Sequence, residues 1–90
     1  MVENLNILRD RIDNFDKSIT DLLAQRMRVV RRVGEYKKKH NLPICDKERQ
    51  KEVLKTRVKQ GKTAGLNEKF VKNLYNLIFN EALNIQRRKK

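Results

Sequence analysis

One apolar stripe constrains this chain more than any other feature. From Leu5 through Leu8, Ile12, Phe15, Ile19 and Leu22, apolar residues recur at alternating steps of three and four, the period of a single helix face. No proline interrupts the run and its first glycine is Gly34, so the spacing predicts one helix from about residue 5 to residue 36. At 1.5 Å per residue such a helix is roughly 50 Å long. A compact chain of 90 residues has a radius of gyration of about 12 Å and a diameter of only about 30 Å. The first helix therefore outruns anything its own chain can wrap around it. A second copy is expected to complete the stripe, most simply about a two-fold axis.

The rest of the chain reads as two shorter helices. Pro43 disfavours helical geometry at Leu42 and is expected to stop the first helix. In "NLPICDKERQKEVLKTRV" Asp46 is suited to cap a second helix that carries Val53, Leu54 and Val58 on one face, with Gly61 as its expected end. "QGKTAG" reads as a loop. Asn67 can then cap a third helix carrying Phe70, Leu74, Leu77, Ile78, Ala82 and Ile85, with Leu66 and Val71 at the spacing of a hydrophobic staple. No segment alternates at period two. The expectation is an all-α fold of three helices, one long and two shorter, forming a single domain over residues 1–90 and pairing as a homodimer.

Charge narrows the partner without naming it. The 23 Lys and Arg against 11 Asp and Glu give a net charge of +12, which favours an anion, whether nucleic acid, membrane surface or small acid. The basic residues are spread over all three helices, "QRRKK" at the end included. The five aromatics (two Tyr, three Phe) fall mostly on inward faces, without a stacking platform or a recognition-helix signature, which argues against a nucleic-acid module. The lone Cys45 excludes an internal disulfide, and with His40 the sole histidine there is no credible set of metal ligands. "MVENLNILRD" lacks the build of a secretory signal and no 18-residue apolar segment exists, so a soluble cytoplasmic chain is expected, with no membrane partner.

Two cations interrupt the stripe. After Leu22 the period calls for an apolar residue at 26 and finds Arg26; it resumes at Val30 and Val33 and lands on Lys37. A single long cation on such a face ordinarily snorkels past the core to water. Arg26 and Lys37, however, are eleven residues apart, close to three turns, and so share a face about 16 Å apart along the axis. A small anion fits between them, a carboxylate against the guanidinium fork and another oxygen near the ammonium. Gln50, three and four residues before Val53 and Leu54, and Gln86, four after Ala82, lie on or beside inward faces. A buried glutamine needs hydrogen-bond partners, which core groups or water supply as readily as a ligand. Asp46 has a sufficient role as a cap, Arg49 as a first-turn surface charge, and Arg28 as a solvent-facing one.

"LRDRIDNFDKSITDLLAQRMRVVRRVGEYKK" followed by "LPICDKERQKEVL" resembles the all-helical class of chorismate mutase, whose pattern is an LR-x-x-ID start, an AxR in mid-helix, a VGxxK end and then PxxDxxRE. The resemblance runs from about Leu5 to Gln86. It implies an intertwined helical homodimer with two identical sites that rearranges chorismate to prephenate with no cofactor. It also implies roles. Arg9 matches the arginine that enters the partner's site, and Arg26 the one that binds a substrate carboxylate in its own. Lys37 and Gln86 match the groups on either side of the ether oxygen of the breaking bond. Asp46 and Arg49 match the start of the second helix, which closes over the substrate. Arg9 also fits on distance: 17 residues, about 25 Å, separate it from Arg26, too far to share one small ligand within a chain. Antiparallel pairing about an axis near residue 20 would bring it between Arg26 and Lys37 of the other copy.

The chain departs from that pattern twice. Gln50 stands where the pattern has the glutamate that holds the substrate hydroxyl, and Ala82 where many members have a small polar residue able to bond a carboxylate. The same cations serve the related isochorismate pyruvate lyases. A non-catalytic helical dimer derived from the enzyme fold is a further alternative if the change at Gln50 is disabling.

Overall fold

A computed structural model of the chain describes residues 4–88. It consists of three helices, α1 (Leu5–Lys39), α2 (Lys47–Thr63) and α3 (Glu68–Arg87), and no strand occurs among the described residues. The last two lysines of the basic tail lie outside them. Each helix starts on a side-chain cap that satisfies one of the amides left open in a first turn. Asn4 accepts from the Ile7 amide at 3.0 Å, Asp46 from that of Arg49 at 3.0 Å and Asn67 from that of Phe70 at 2.9 Å.

The C-terminal ends of α1 and α2 are built alike, and one differs from expectation. α1 continues to Lys39. It stops at Asn41, whose φ of 56° takes the left-handed conformation, while the amides of Asn41 and Leu42 return to the carbonyls of Lys38 (3.3 Å) and Lys37 (2.8 Å). The end is thus already formed before Pro43 exerts its restriction. α2 does not end at Gly61 as the sequence suggested but runs on to Thr63. There Gly65, at φ 87°, takes the left-handed position, and the amides of Gly65 and Leu66 return to Lys62 (3.1 Å) and Gly61 (2.9 Å). Gly61 is instead a packing residue. A Cβ on it would lie 2.7 Å from Val71 Cγ2, so the missing side chain is what lets α3 lie against α2.

α3 is the middle element. It packs on both α1 and α2, which do not pack on each other among the described residues. Val71, Phe79, Ala82 and Gln86 on α3 are buried, together with Gly34 on α1 and Gly61 on α2. Among the described residues no large side chain is fully buried. Only the C-terminal half of α1 contributes half-buried side chains (Leu23, Arg26, Met27, Val30 and Lys37). The stripe ahead of it, Leu5, Leu8, Ile12, Phe15, Ile19 and Leu22, is between 37 % and 64 % exposed. The single chain is accordingly elongated, 59 × 28 × 15 Å with a radius of gyration of 16.8 Å. No helix of the described residues is long and apolar enough to cross a membrane.

Gly61→Ala tests the close crossing. In an ordinary helix interior the exchange stabilises by about 0.5–1 kcal/mol. Against the stiff, β-branched Val71 it overpacks, at a cost of about 1–3 kcal/mol. A lower midpoint in urea unfolding is expected; a higher one would show that α3 moves aside freely.

Candidate active site

The end of α1 assembles the site. Because the chain turns back through Asn41 and Leu42, the carbonyl of Ile44 comes to face the last turn of α1, and Lys37 Nζ donates to it at 2.9 Å. The same ammonium donates to Gln86 Oε1 at 3.1 Å. Gln86 is buried, 8 % exposed, and its Nε2 donates to the Ala82 carbonyl one turn earlier at 3.3 Å. An ammonium carries three N–H groups and an amide two, so each keeps one donor after these bonds. Gly34 makes the pair possible. A Cβ there would meet the Gln86 Cα at 2.9 Å and Cγ at 3.0 Å, so only glycine lets α3 approach α1 closely enough to set Gln86 beside Lys37.

A cavity of about 250 Å³ opens from this pair between the three helices. Arg26, Val30 and Lys37 of α1, Ile44 and Asp46, Arg49, Gln50, Val53 and Arg57 of α2 and its cap, and Phe79, Ala82, Leu83 and Gln86 of α3 line it. Seven of the eight residues singled out from the sequence (Arg26, Lys37, Asp46, Arg49, Gln50, Ala82 and Gln86) therefore meet around one space. Arg9 does not join them within the chain; it is an exposed residue near the start of α1.

The lining is polarised. Arg26, Lys37, Arg49 and Arg57 are cationic, and Asp46 is the one carboxylate, its Oδ1 committed to the α2 cap. Arg49 lies at the exposed rim, where its guanidinium meets Glu52 at 3.3 Å, a solvent-screened pair of little energetic weight. Arg26 is the opposite case. Its Nη1 is buried and has no hydrogen-bond partner. A buried donor without a partner is costly and rare in folded proteins, and a charged one facing a cavity is suited to receive an anion. Among the described residues no three His, Cys, Asp or Glu side chains gather to hold a metal ion.

The residues along this cavity fall within residues 8–87, which match the family model for chorismate mutase type II. The chain belongs to that family. Among curated relatives, it is 37 % identical over 82 residues to a T-protein of Enterobacter agglomerans, covering 91 % of this chain and 22 % of that protein. It is 39 % identical over 80 residues to a bifunctional chorismate mutase/prephenate dehydratase of Buchnera aphidicola subsp. Schizaphis graminum, covering 89 % and 21 %. A 4-amino-4-deoxychorismate mutase of Streptomyces pristinaespiralis is 28 % identical over 82 residues, covering 91 % and 64 %. The chain thus spans about a fifth of the length of the first two relatives.

Two polar contributors to this cavity, Arg57 and the Ile44 carbonyl, went unrecognised in the sequence, and only the first had a readable signal. Arg57 lies four residues after Val53 and seven after Gln50, a cation on an inward face by the same criterion that exposed Arg26. Ile44 acts through its backbone carbonyl, to which a side-chain pattern is blind. The orphaned guanidinium generates a test. Replacing a buried, uncompensated charge by an apolar side chain of similar length removes its desolvation cost, so Arg26→Met is expected to raise the thermal midpoint by a few degrees in the absence of ligand. A lower midpoint would mean that the guanidinium is satisfied within the fold.

Proposed function

We propose that this chain is a chorismate mutase, converting chorismate to prephenate, and that it works as an intertwined two-fold homodimer. The observation that carries the reading is the unpaired, buried Nη1 of Arg26 at a cavity whose lining also holds the Lys37 and Gln86 donor pair.

The reaction is a pericyclic rearrangement: an ether C–O bond breaks as a C–C bond forms, and negative charge grows on the ether oxygen. No proton is transferred and no covalent intermediate is needed, which suits a site built of cations and amides. Two tasks remain for the protein. The substrate must be held in its coiled, diaxial form, and guanidinium forks on its two carboxylates do this by fixing both ends. The developing charge must be met by donors already in place. Lys37, held by Ile44 and Gln86, and Gln86, held by Lys37 and Ala82, each retain an N–H for the ether oxygen. Their bonds to it strengthen as its charge grows, so the transition state gains more than the ground state. Gln50 is left to hold the substrate hydroxyl as a neutral amide.

The homodimer supplies what one chain lacks. The exposed stripe of α1 needs a cover, and an antiparallel second α1 about an axis near residue 20 would both bury it and carry Arg9 into the partner's cavity. The apolar area involved is the main driving force for such pairing.

The decisive assay follows chorismate loss and product identity, with isochorismate offered in parallel. Prephenate from chorismate is expected; salicylate from isochorismate alone would assign the lyase reaction instead. Loss of a single preorganised donor costs on the order of 10²–10³ in rate, and Lys37→Ala also removes the partner that holds Gln86, so a loss of at least that size is expected with the helical spectrum unchanged. Shared sites predict complementation as well. Arg9→Ala and Lys37→Ala chains, each inactive alone, should on mixing regain roughly a quarter of wild-type activity, because half of the dimers are mixed and each has one intact site. No recovery after proven subunit exchange would place Arg9 outside the site.

A further inference from the structure

Arg57 is the one cation of the cavity with neither a role in the mechanism above nor a partner in the fold. It is half-buried, it lines the cavity with Arg26, Lys37 and Arg49, and it makes no hydrogen bond or ion pair among the described residues. Its place in the cavity follows from helix geometry. One end is fixed by the Lys37, Ile44 and Gln86 cluster. Arg26 lies eleven residues from Lys37, Phe79 seven from Gln86 and Arg57 seven from Gln50, which are displacements of roughly 16, 10 and 10 Å along their helices. All three line the same space of about 250 Å³, away from that cluster along their own helices. Arg57 and Arg26 thus share one small cavity, with Ala82 one turn back along α3 from Gln86.

Two unpaired guanidinium groups lining one small cavity repel each other unless an anion lies between them. The single carboxylate of the lining, Asp46, is taken by the α2 cap. The lining also carries Ala82, which has no hydroxyl to offer a ligand. We propose that Arg57 is a substrate-binding residue: it donates to the same carboxylate that Arg26 holds, and supplies the contact that Ala82 cannot. The assignment rests on the mutase reading and names its ligand class, a small dicarboxylate with one carboxylate gripped by two guanidinium groups.

The wild-type chain, Arg57→Leu, Arg57→Lys and Arg57→Leu/Ala82→Ser can be compared by chorismate kinetics. In parallel, calorimetric titration would use a stable bicyclic dicarboxylate that mimics the cyclised transition state, and its monomethyl ester at the carboxylate expected to face Arg26. Leucine suits an inward helix position, so the helical spectrum and thermal midpoint should hold. A charge-assisted hydrogen bond is worth about 10- to 100-fold in affinity. Arg57→Leu should therefore raise KM and weaken dicarboxylate binding by that factor, with kcat within a few-fold. Arg57→Lys should fall between. The wild-type preference for diacid over ester should shrink in Arg57→Leu, and Ala82→Ser should recover part of the loss. Wild-type KM and affinity in Arg57→Leu would overturn the proposal, as would a loss equal for diacid and ester. A wild-type chain that binds the dicarboxylate but leaves chorismate unchanged would defeat the mutase reading alone, with Arg57 judged on the affinities; one that binds neither would overturn both.

Discussion

The structure depends on how closely α3 lies against its two neighbours. At Gly34 and at Gly61 a single added carbon would meet α3 at 2.9 Å and 2.7 Å, so both crossings are set by the absence of a side chain. These approaches turn three helices, two of which do not touch each other, into one unit with a cavity between them. They also set the chemistry. Gln86 is the residue of α3 that lies over Gly34, and its amide meets Lys37 only because the backbones come so near.

The long helix carries two separate requirements along one face. Its N-terminal half presents apolar side chains that the chain leaves open to water, and its C-terminal half presents Arg26 and Lys37 to a cavity that the chain does enclose. If α1 pairs with a second copy as proposed, the same register serves assembly and binding. A shift of the stripe that improved packing with a second copy would turn the two cations away from the ligand, which ties the oligomer to the site. Stability and function oppose each other at Arg26, where a charge without a partner is kept in a buried place. The net positive charge of the lining is left unneutralised by the described residues.

Much of this was legible beforehand. Leu5 to Tyr36 could be read as one helix because period alone decides it, and Asp46 and Asn67 could be read as caps because a short polar side chain before an apolar run has few other uses. Arg26, Lys37, Gln50 and Gln86 were legible for the opposite reason, as cations and amides on or beside faces where the period asks for apolar residues, whereas Asp46, Arg49 and Ala82 entered as site candidates only through the family resemblance. Gly61 misled because glycine has two uses in helices, as a C-terminal left-handed residue and as a point of close approach, and the sequence around it fits either. Gly65, four residues on, took the first role. Arg57 was hidden among the many lysines and arginines of a helix whose polar face is nearly as wide as the helix itself.

What the sequence by itself determined is the secondary structure, the amphipathic registers and the set of residue types that a small anion would need, since these follow from local spacing and side-chain chemistry. Only the tertiary structure decided which of them meet. The Lys37 ammonium against a backbone carbonyl from beyond the turn, the Gln86 amide oriented by Lys37 and Ala82, and the orphaned Nη1 of Arg26 all depend on distances between segments far apart in the chain. Those distances come from helix crossings in which one carbon atom more or less decides the fit, and no periodicity along a single strand of sequence records them.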